Sequence, residues 1–318
     1  MSIVIITPGR QPLLWKEAIM QTNPGIEVFF HDESFDPGKA LFALAWNHPH
    51  GIFSRFPNLK CISSMGAGVD HLLSDPDIPP KVDIVRIVDP LLASDMYEFV
   101  LSLTMAWLRK LHHYAGNQRE TVWEKKRYAR ISDITIGIMG TGSIGQFVAT
   151  ELGRIGFRVL GWGRTPLLQE PEISSEPGPP FKRYWGSDQL PEFLQQTNLL
   201  VCLLPLTNET RGILHSELFS LLPDGAAVIN LGRGGHVADQ DLIGALDSGH
   251  LSAAFLDVFN EEPLPPEHPF WHHPKIHISP HIASLTDPLS VAPQIVENYL
   301  RMLNGETLLN MVNRSLGY

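Results

Sequence analysis

Three side chains suited to proton transfer and anion binding occur in the C-terminal half of the chain, each shortly after an apolar run. They are Arg233, Glu262 and His281. An arginine can bind a carboxylate through paired hydrogen bonds, and a histidine beside a carboxylate can serve as a charged proton donor near neutral pH. Together these residue types can hold an anionic substrate and protonate its carbonyl oxygen.

The positions of these residues matter more than their types, because the chain has 14 histidines and most histidines in a protein are structural or exposed. Glu261 is an alternative to Glu262, but we expect Glu261 to face solvent. Neighbouring histidines also occur at 48 and 50, 112 and 113, and 272 and 273. We predict no metal site there, because adjacent histidines rarely bind one ion and no cysteine or carboxylate spacing supports them.

A glycine-rich turn follows the apolar run that begins at Ile134. Gly140 is expected to make the turn, Gly142 to leave room for a pyrophosphate, and Gly145 to let a helix pack on the strand. Backbone N–H groups at the start of that helix favour a phosphate. The predicted dinucleotide contacts at this turn are Gly140, Gly142, Ser143, Ile144 and Gly145.

The end of the next strand indicates which dinucleotide is bound. NAD-binding folds usually carry an acidic residue there to hold the ribose hydroxyls. This chain has Gly163, Arg164 and Thr165 instead, with no acid before Glu170. Arg164 can pair with a 2′-phosphate and Thr165 can donate a hydroxyl, so we predict that NADP(H) is preferred and that NAD(H) is possible. The alternative is that Arg164 is a solvated surface residue.

The elements that must position these residues form a regular alternation of apolar strands and helices. This rhythm is typical of parallel α/β layers. The strands predicted near the N-terminus are Ile3–Ile6, Glu27–Phe30, Leu41–Trp46, Leu59–Ser63 and Ile84–Ile87. The strand at the glycine turn is followed by Phe157–Trp162, Leu199–Leu204, Ala226–Leu231, Ala253–Val258 and Ile276–Ser279, which makes six strands in a second layer. Helices are predicted at Ser143–Arg154, Ser216–Leu222, Asp239–Leu246 and Asp287–Leu303.

The fold class predicted from this pattern is α/β, with two doubly wound parallel-sheet (Rossmann-like) domains. A long helix starting at Ser94 or Asp95 is expected to cross into the second domain, and the last helix is expected to return to the first. Residues 1–95 and 285–318 then form a discontinuous substrate-binding domain, and residues 96–284 form the dinucleotide-binding domain. The active site is expected in the cleft between them. The Pro166–Pro180 segment is predicted to be a surface loop.

Composition narrows the possible partners. The net charge of -10 does not suggest a nucleic-acid or anionic-membrane surface, and the mean hydropathy of -0.02 is typical of a soluble globular chain. The longest nearly apolar helical run, Phe99–Leu108, is too short to span a bilayer. Cys61 and Cys202 lie in apolar runs, as buried reduced thiols do. We therefore predict a cytoplasmic protein without a membrane partner.

Five motifs in order resemble the D-isomer-specific 2-hydroxyacid dehydrogenase family. They are the glycine turn and the segments 203–212, 231–234, 257–263 and 279–281. Over nearly its whole length the chain looks most like the glyoxylate/hydroxypyruvate reductase A branch of that family. Features of that branch occur at Met65–Asp70, at Leu222–Ala226 and in the final Gly317-Tyr318.

The resemblance implies roles for the three residues considered first. Arg233 would bind the substrate carboxylate and carbonyl oxygen, and His281 would donate the proton. Glu262 would hydrogen-bond His281 and keep it protonated at neutral pH.

The resemblance also implies contacts made by residues outside that set. Ala67, Gly68 and Val69 would offer backbone N–H groups to the carboxylate, consistent with a helix that starts near Gly68. Trp46 would shape the substrate pocket. For the cofactor, Asp257 would lie by the nicotinamide amide and Pro205 by the adenosine portion.

The expected activity is the NADPH-dependent reduction of small 2-keto acids, glyoxylate and hydroxypyruvate first, to 2-hydroxy acids by hydride transfer. One alternative is a reductase of broader specificity that accepts bulkier 2-keto acids. A second, from another functional class, is a nucleotide-sensing interaction protein without turnover. The resemblance to the dehydrogenase family also leads us to expect a homodimer.

Overall fold

The computed structural model describes residues 1–8, 11–166 and 181–318. Most of the predicted Pro166–Pro180 loop therefore lies outside the described residues. The chain divides into two compact units. The first unit comprises Met1–Asp89 and Thr286–Tyr318, and the second comprises Pro90–Leu285.

The first unit is built on a five-stranded parallel sheet with the order β2-β1-β3-β4-β5. Its strands are β1 (Ser2–Ile6), β2 (Glu27–Phe30), β3 (Ala40–Ala45), β4 (Cys61–Ser64) and β5 (Asp83–Val85). Its helices are α1 (Pro12–Thr22), α2 (Asp70–Leu73) and α9 (Pro288–Asn304). Strands β1 and β4 are buried along their whole length, as expected for parallel strands covered on both faces.

Helix α9 returns the C-terminal part of the chain to this first unit. It lies against α1. The ring of Tyr299 meets that of Phe42 edge-on, and the Tyr299 hydroxyl donates a 2.8 Å hydrogen bond to the Met1 carbonyl. Asp287 caps the start of α9, and Gly305 ends it with a φ of 71°. The first unit is therefore discontinuous in sequence.

The second unit contains a seven-stranded parallel sheet with the order β12-β11-β10-β9-β6-β7-β8. Its strands are β6 (Thr135–Met139), β7 (Arg158–Gly163), β8 (Lys182–Trp185), β9 (Leu199–Cys202), β10 (Ala226–Asn230), β11 (Leu251–Leu256) and β12 (Ile276–Ile278). Its helices are α3 (Pro90–Leu108), α4 (Leu111–Arg119), α5 (Ser143–Arg154), α6 (Gly186–Gln195), α7 (Ser216–Ser220) and α8 (Asp239–Asp247).

The sheet of the second unit has one hydrophobic core on each face. Along β6, Ile136 and Ile138 belong to the core that α3 and α5 cover, whereas Met139 belongs to the core on the other face. The strand order reverses at the neighbouring β6 and β9, which is the switch point of a doubly wound sheet. The predicted fold class, two parallel-sheet α/β domains, is confirmed.

The prediction of six strands in the second unit was wrong, because β8 adds a seventh at the sheet edge beyond β7. Residues Lys182–Trp185 include two basic side chains, and only Tyr184 is buried. An edge strand of this composition has no apolar run, so hydrophobic patterning does not reveal it.

The predicted start of the long helix was also wrong. Helix α3 begins at Pro90, and Ser94 and Asp95 lie inside it. Proline suits the first helical position because its fixed φ is helical and its missing N–H has no partner there.

Helix α3 is longer than the apolar run Phe99–Leu108 that was judged too short to span a bilayer. Its 19 residues have a mean hydropathy of 1.2, so by length and composition alone α3 could cross a bilayer. In the fold, 39% of that stretch is buried, and Val100, Trp107 and Leu108 belong to one of the cores of the second unit. A core helix passes the same composition test.

Candidate active site

His281 and Glu262 form a hydrogen-bonded pair in the second unit. Nδ1 of His281 lies 2.7 Å from Oε2 of Glu262, and Oε1 of Glu262 accepts a 2.9 Å hydrogen bond from the Phe259 N–H. Both side chains are 36% exposed. Because the carboxylate engages Nδ1, the ring is oriented with Nε2 as the nitrogen left for a substrate.

Glu262 is held in its charged form. Burial opposes this by favouring the neutral acid, but the hydrogen bonds from His281 and the Phe259 N–H outweigh it, and the charges of His281 and Arg233 add to them. The net effect lowers the pKa of Glu262 below its ordinary value.

Asp257 anchors the segment that presents His281. Its buried carboxylate accepts hydrogen bonds from the Ser279 hydroxyl at 2.6 Å, the Ile282 N–H at 3.0 Å and the Ala283 N–H at 2.8 Å. His281 itself has a left-handed backbone, with a φ of 54°, which is unfavourable for a residue with a side chain. The three hydrogen bonds to Asp257 hold the chain in that conformation on both sides of His281.

Arg233 lies on a loop that two buried polar side chains hold in place. Nδ2 of Asn230 donates to the Arg233 carbonyl at 2.9 Å, and the Arg233 N–H donates to Nδ1 of His236 at 3.1 Å. The proton of the His236 ring is therefore on Nε2, which faces the Pro205 carbonyl at 3.4 Å. A side chain at Gly234 would overlap the backbone of Phe259, so glycine is required there.

The glycine turn has the backbone geometry that a closely bound pyrophosphate requires. Gly140 has a φ of 100°, and a Cβ there would lie 2.7 Å from the Leu203 carbonyl oxygen. A Cβ at Gly145 would lie 1.8 Å from the Gly140 oxygen. Among the described residues, a Cβ at Gly142 would meet no atom within 4 Å, and no side chain caps the start of α5 at Ser143. Open space therefore adjoins the first N–H groups of α5, which include that of Ile144.

The predicted phosphate-binding side chain, Arg164, follows β7. Its Nη1 donates to the Thr207 hydroxyl at 3.2 Å, and its guanidinium forms an ion pair with Glu209. Thr165 is exposed next to it, and Pro205 is half-buried in the loop that leads to Thr207. The guanidinium is thus placed at the end of the second strand of the dinucleotide fold, as an acid would be in NAD-binding folds.

The substrate-side candidates lie together in the first unit. The ring of Trp46 sits beside Gly66, where a Cβ would approach it to 3.1 Å, and against the ring of His71 at 4.6 Å between centroids. Ala67 and Gly68 are partly exposed, and Val69 is buried.

The helix expected near Gly68 is short. Helix α2 has only the four residues Asp70–Leu73, with Val69 as its N-cap. Because a dipole of one turn is small, the backbone N–H groups themselves must do most of any anion binding here.

Ser64 ties the two ends of the loop in the first unit together. Its hydroxyl donates to the Gly68 carbonyl at 2.7 Å and accepts from the Gly66 N–H at 3.3 Å, and it lies 3.2 Å from Nε2 of His71. Behind this loop, the fully buried His48 and Asp75 are hydrogen-bonded at 3.0 Å.

Sequence reasoning missed the residues that support the site. These are Asn230, His236 and Ser64, together with Glu209 as the ion-pair partner of Arg164. For Asp257 it predicted a cofactor contact and missed the anchoring of the His281 segment. Only Asn230 and His236 gave a signal, since both are within three positions of Arg233.

The chain is similar in sequence to proteins of one known family. Residues 101–283 match the family described as D-isomer specific 2-hydroxyacid dehydrogenase, NAD binding domain. The chain is 36% identical, over 100% of both sequences, to glyoxylate/hydroxypyruvate reductase A of Serratia proteamaculans (strain 568).

Two solved structures are similar over the full chain. One is a D-isomer specific 2-hydroxyacid dehydrogenase from Xanthobacter autotrophicus Py2 in complex with NADPH and MES, with 38% identity, a TM-score of 0.92 and coverage of 100% of this chain and 99% of that one. The other is an NADPH-dependent glyoxylate/hydroxypyruvate reductase from Sinorhizobium meliloti in complex with NADP and sulfate, with 35% identity, a TM-score of 0.89 and coverage of 100% of both chains.

Proposed function

The chain belongs to the D-isomer-specific 2-hydroxyacid dehydrogenase family, and from this premise we propose that it reduces small 2-keto acids with NADPH, glyoxylate and hydroxypyruvate first. The observation that carries the proposal is the 2.7 Å pair of His281 and Glu262, with the charge of Arg233 acting on Glu262. The full-length relatives named as glyoxylate/hydroxypyruvate reductases support the choice of substrate.

The residues of the second unit fit a phosphorylated dinucleotide. Gly142 leaves open space beside the uncapped N–H groups of α5, which suits a pyrophosphate. Arg164 supplies a positive charge at the position expected for a 2′-phosphate. The relatives solved with NADPH or NADP support the same choice. We propose the cofactor contacts predicted above at Thr165, Pro205 and Asp257 as part of this site.

The reaction follows from the charges in the site. A bound NADPH supplies the hydride that is added to the keto carbon. Arg233 binds the substrate carboxylate and stabilises the negative charge that grows on the carbonyl oxygen. His281 donates a proton from Nε2 to that oxygen and then regains one from solvent, while Glu262 stays ionised and orients the ring. In the first unit, the N–H groups of residues 67–69 are proposed to bind the carboxylate, and Trp46 to limit the size of the substrate side chain.

A substrate panel tests this proposal. NADPH oxidation is measured with glyoxylate, hydroxypyruvate, pyruvate and phenylpyruvate, and we expect glyoxylate and hydroxypyruvate to have the highest kcat/KM. A higher kcat/KM with phenylpyruvate would favour the reductase of broader specificity. Binding of NADPH without oxidation by any of the four acids would favour the nucleotide sensor.

We also propose that the enzyme is a cytoplasmic homodimer. Burial raises the pKa of both thiols, that of Cys202 to about 12, which makes them unreactive and consistent with a reducing compartment. The part of the second unit around α4 exposes large apolar side chains, including Trp123 at 94%, Leu111 at 56% and Val122 at 49%. Such a patch is typical of an interface. Light scattering with size-exclusion chromatography distinguishes the dimer from a monomer.

A further inference from the structure

In the second unit, the loops that follow β6, β7 and β9 meet at the carboxyl ends of these strands. The loop after β6 is the glycine turn. A Cβ at Gly140 would lie 2.7 Å from the oxygen of Leu203, which follows β9. A Cβ at Gly163, at the end of β7, would lie 3.3 Å from the Thr141 hydroxyl in the glycine turn. Arg164 and the residues after Leu203 therefore adjoin the turn that is suited to the pyrophosphate.

The partners of Arg164 include a neutral side chain and a charged side chain of the loop after β9. The neutral partner is the Thr207 hydroxyl at 3.2 Å. It is held in a turn in which the Thr207 N–H donates to the Thr210 hydroxyl at 2.8 Å, and that hydroxyl donates to the Pro205 carbonyl at 2.7 Å. The charged partner is Glu209, whose side chain is 72% exposed, against 17% for Arg164. The arginine is thus fixed, whereas the glutamate can rotate into solvent.

A carboxylate on Arg164 acts in opposite directions on the two dinucleotides. A 2′-phosphate must share the guanidinium with Glu209 or displace it, because the two anions repel each other. A ribose with a free 2′-hydroxyl brings no charge, and a carboxylate at this strand end can accept its hydrogen bond. Glu209 therefore opposes NADPH binding and assists NADH binding.

We propose that Glu209 is a specificity-determining residue that narrows the preference for NADPH over NADH by competing for Arg164. This inference rests on the proposed use of NADPH. On this proposal the protein also uses NADH, with a lower kcat/KM than NADPH.

Binding measurements on Glu209→Gln test the proposal without turnover. Isothermal titration calorimetry is used with 2′,5′-ADP, which carries the 2′-phosphate, and with 5′-AMP, which lacks it. Because an exposed ion pair is weak, we expect the Kd of 2′,5′-ADP to fall by about threefold. We expect the Kd of 5′-AMP to rise by about threefold, because a neutral amide oxygen is a weaker hydrogen-bond acceptor for the 2′-hydroxyl than a carboxylate. The ratio of kcat/KM for NADPH to that for NADH then rises by about tenfold.

Three further variants make the result specific. Glu209→Asp keeps the charge on a shorter side chain and should lie between wild type and Glu209→Gln. Glu217→Gln removes an exposed carboxylate in α7 and should leave both Kd values unchanged. When Arg164 is also changed to Gln, Glu209→Gln should no longer tighten 2′,5′-ADP binding.

The inference is overturned if Glu209→Gln leaves both Kd values unchanged, or shifts them in the same direction, while the wild-type protein binds 2′,5′-ADP more tightly than 5′-AMP. The proposed function fails separately, in its choice of cofactor, if the wild-type protein shows no preference for 2′,5′-ADP and Arg164→Gln has no effect on its binding.

Discussion

Arg233 illustrates how a single residue depends on its neighbours for its chemistry. Its backbone is held by Asn230 and His236, both fully buried, and by the absence of a side chain at Gly234. The backbone that carries the guanidinium is therefore fixed in position. The planar guanidinium can bind a carboxylate through two hydrogen bonds. Residue type and position after β10 predict Arg233 from the sequence, but not the two side chains that fix it.

Substitution of Arg233 tests whether that fork binds the substrate carboxylate. We expect Arg233→Ala to raise KM for the 2-keto acid by at least about tenfold and to lower kcat, because the carboxylate and the developing oxyanion both lose a partner. Arg233→Lys should restore only part of the loss, since an ammonium cannot make the paired contact. Steady-state kinetics at saturating NADPH measure both effects.

The control for this series is Arg158→Ala. Arg158 is an exposed arginine at the start of β7 that hydrogen-bonds Gln196 at 2.9 Å, so its removal changes the net charge equally. KM for the 2-keto acid should stay at the wild-type value. An Arg233→Ala enzyme with wild-type KM and kcat would show that the carboxylate is bound elsewhere.

At the scale of elements, the loop after β4 in the first unit depends on one hydroxyl. Ser64 joins Gly66 to Gly68, and its loss would leave the Gly68 carbonyl without this donor. We expect Ser64→Ala to raise KM for the 2-keto acid by about tenfold, the order expected for one buried hydrogen bond. The Kd of NADPH should not change, because the glycine turn belongs to the second unit.

Ser63→Ala is the matched control, since Ser63 is the neighbouring buried serine and its hydroxyl donates to the Ser64 carbonyl instead. It should leave KM near the wild-type value. Equal increases in KM for the two variants would mean that Ser64 acts through the stability of β4 and not through the loop.

Helix α4 and strand β12 meet at two neighbouring histidine rings, which should make stability depend on pH. The ring of His277 lies 4.5 Å from that of His112 and 4.8 Å from that of Phe255, between centroids. Burial, and to a smaller extent the charge of His112, lowers the pKa of His277 from 6.5 to about 4. Between those two pH values the unfolded chain binds a proton that the folded chain does not, so stability falls as the pH falls.

The expected loss from His277 between pH 7.5 and 5 is about 2 kcal/mol in the free energy of unfolding. His277→Phe should remove this part of the pH dependence while keeping a ring at this position. Urea unfolding at the two pH values measures it, with His272→Phe, an exposed position, as the control. The same pH dependence in His277→Phe and wild type would contradict the assignment.

How far the sequence predicts these elements depends on whether a signal is local. Apart from β8, the strands of both sheets and helix α5 follow from periodicity and from the glycine turn, which are properties of neighbouring residues. Strand β8 was missed because only Tyr184 in it is buried. The start of α3 was misplaced because polar Ser94 and Asp95 resemble a cap. Arg164 and Glu209 form an ion pair although they are far apart in sequence, and no sequence pattern predicts this pair.

At the scale of the whole molecule, the catalytic residues and the residues proposed to select the substrate belong to different units. The second unit carries His281, Glu262 and Arg233 and the glycine turn, and this unit includes the region that matches the NAD-binding domain of the family. The first unit, which the C-terminal helix completes, carries the loop and the tryptophan proposed to select the substrate. The family likeness covers the full chain, so both parts have counterparts in the relatives.

The central claim is that this molecule reduces a 2-keto acid with His281 as the proton donor. The most direct measurement follows NADPH oxidation and glycolate formation from glyoxylate, for wild type and for His281→Ala. We expect one glycolate for each NADPH oxidised by the wild type, and a kcat lowered by about 10²-fold or more in His281→Ala with little change in the Kd of NADPH. Glycolate formation by His281→Ala at a rate near that of wild type would contradict the account.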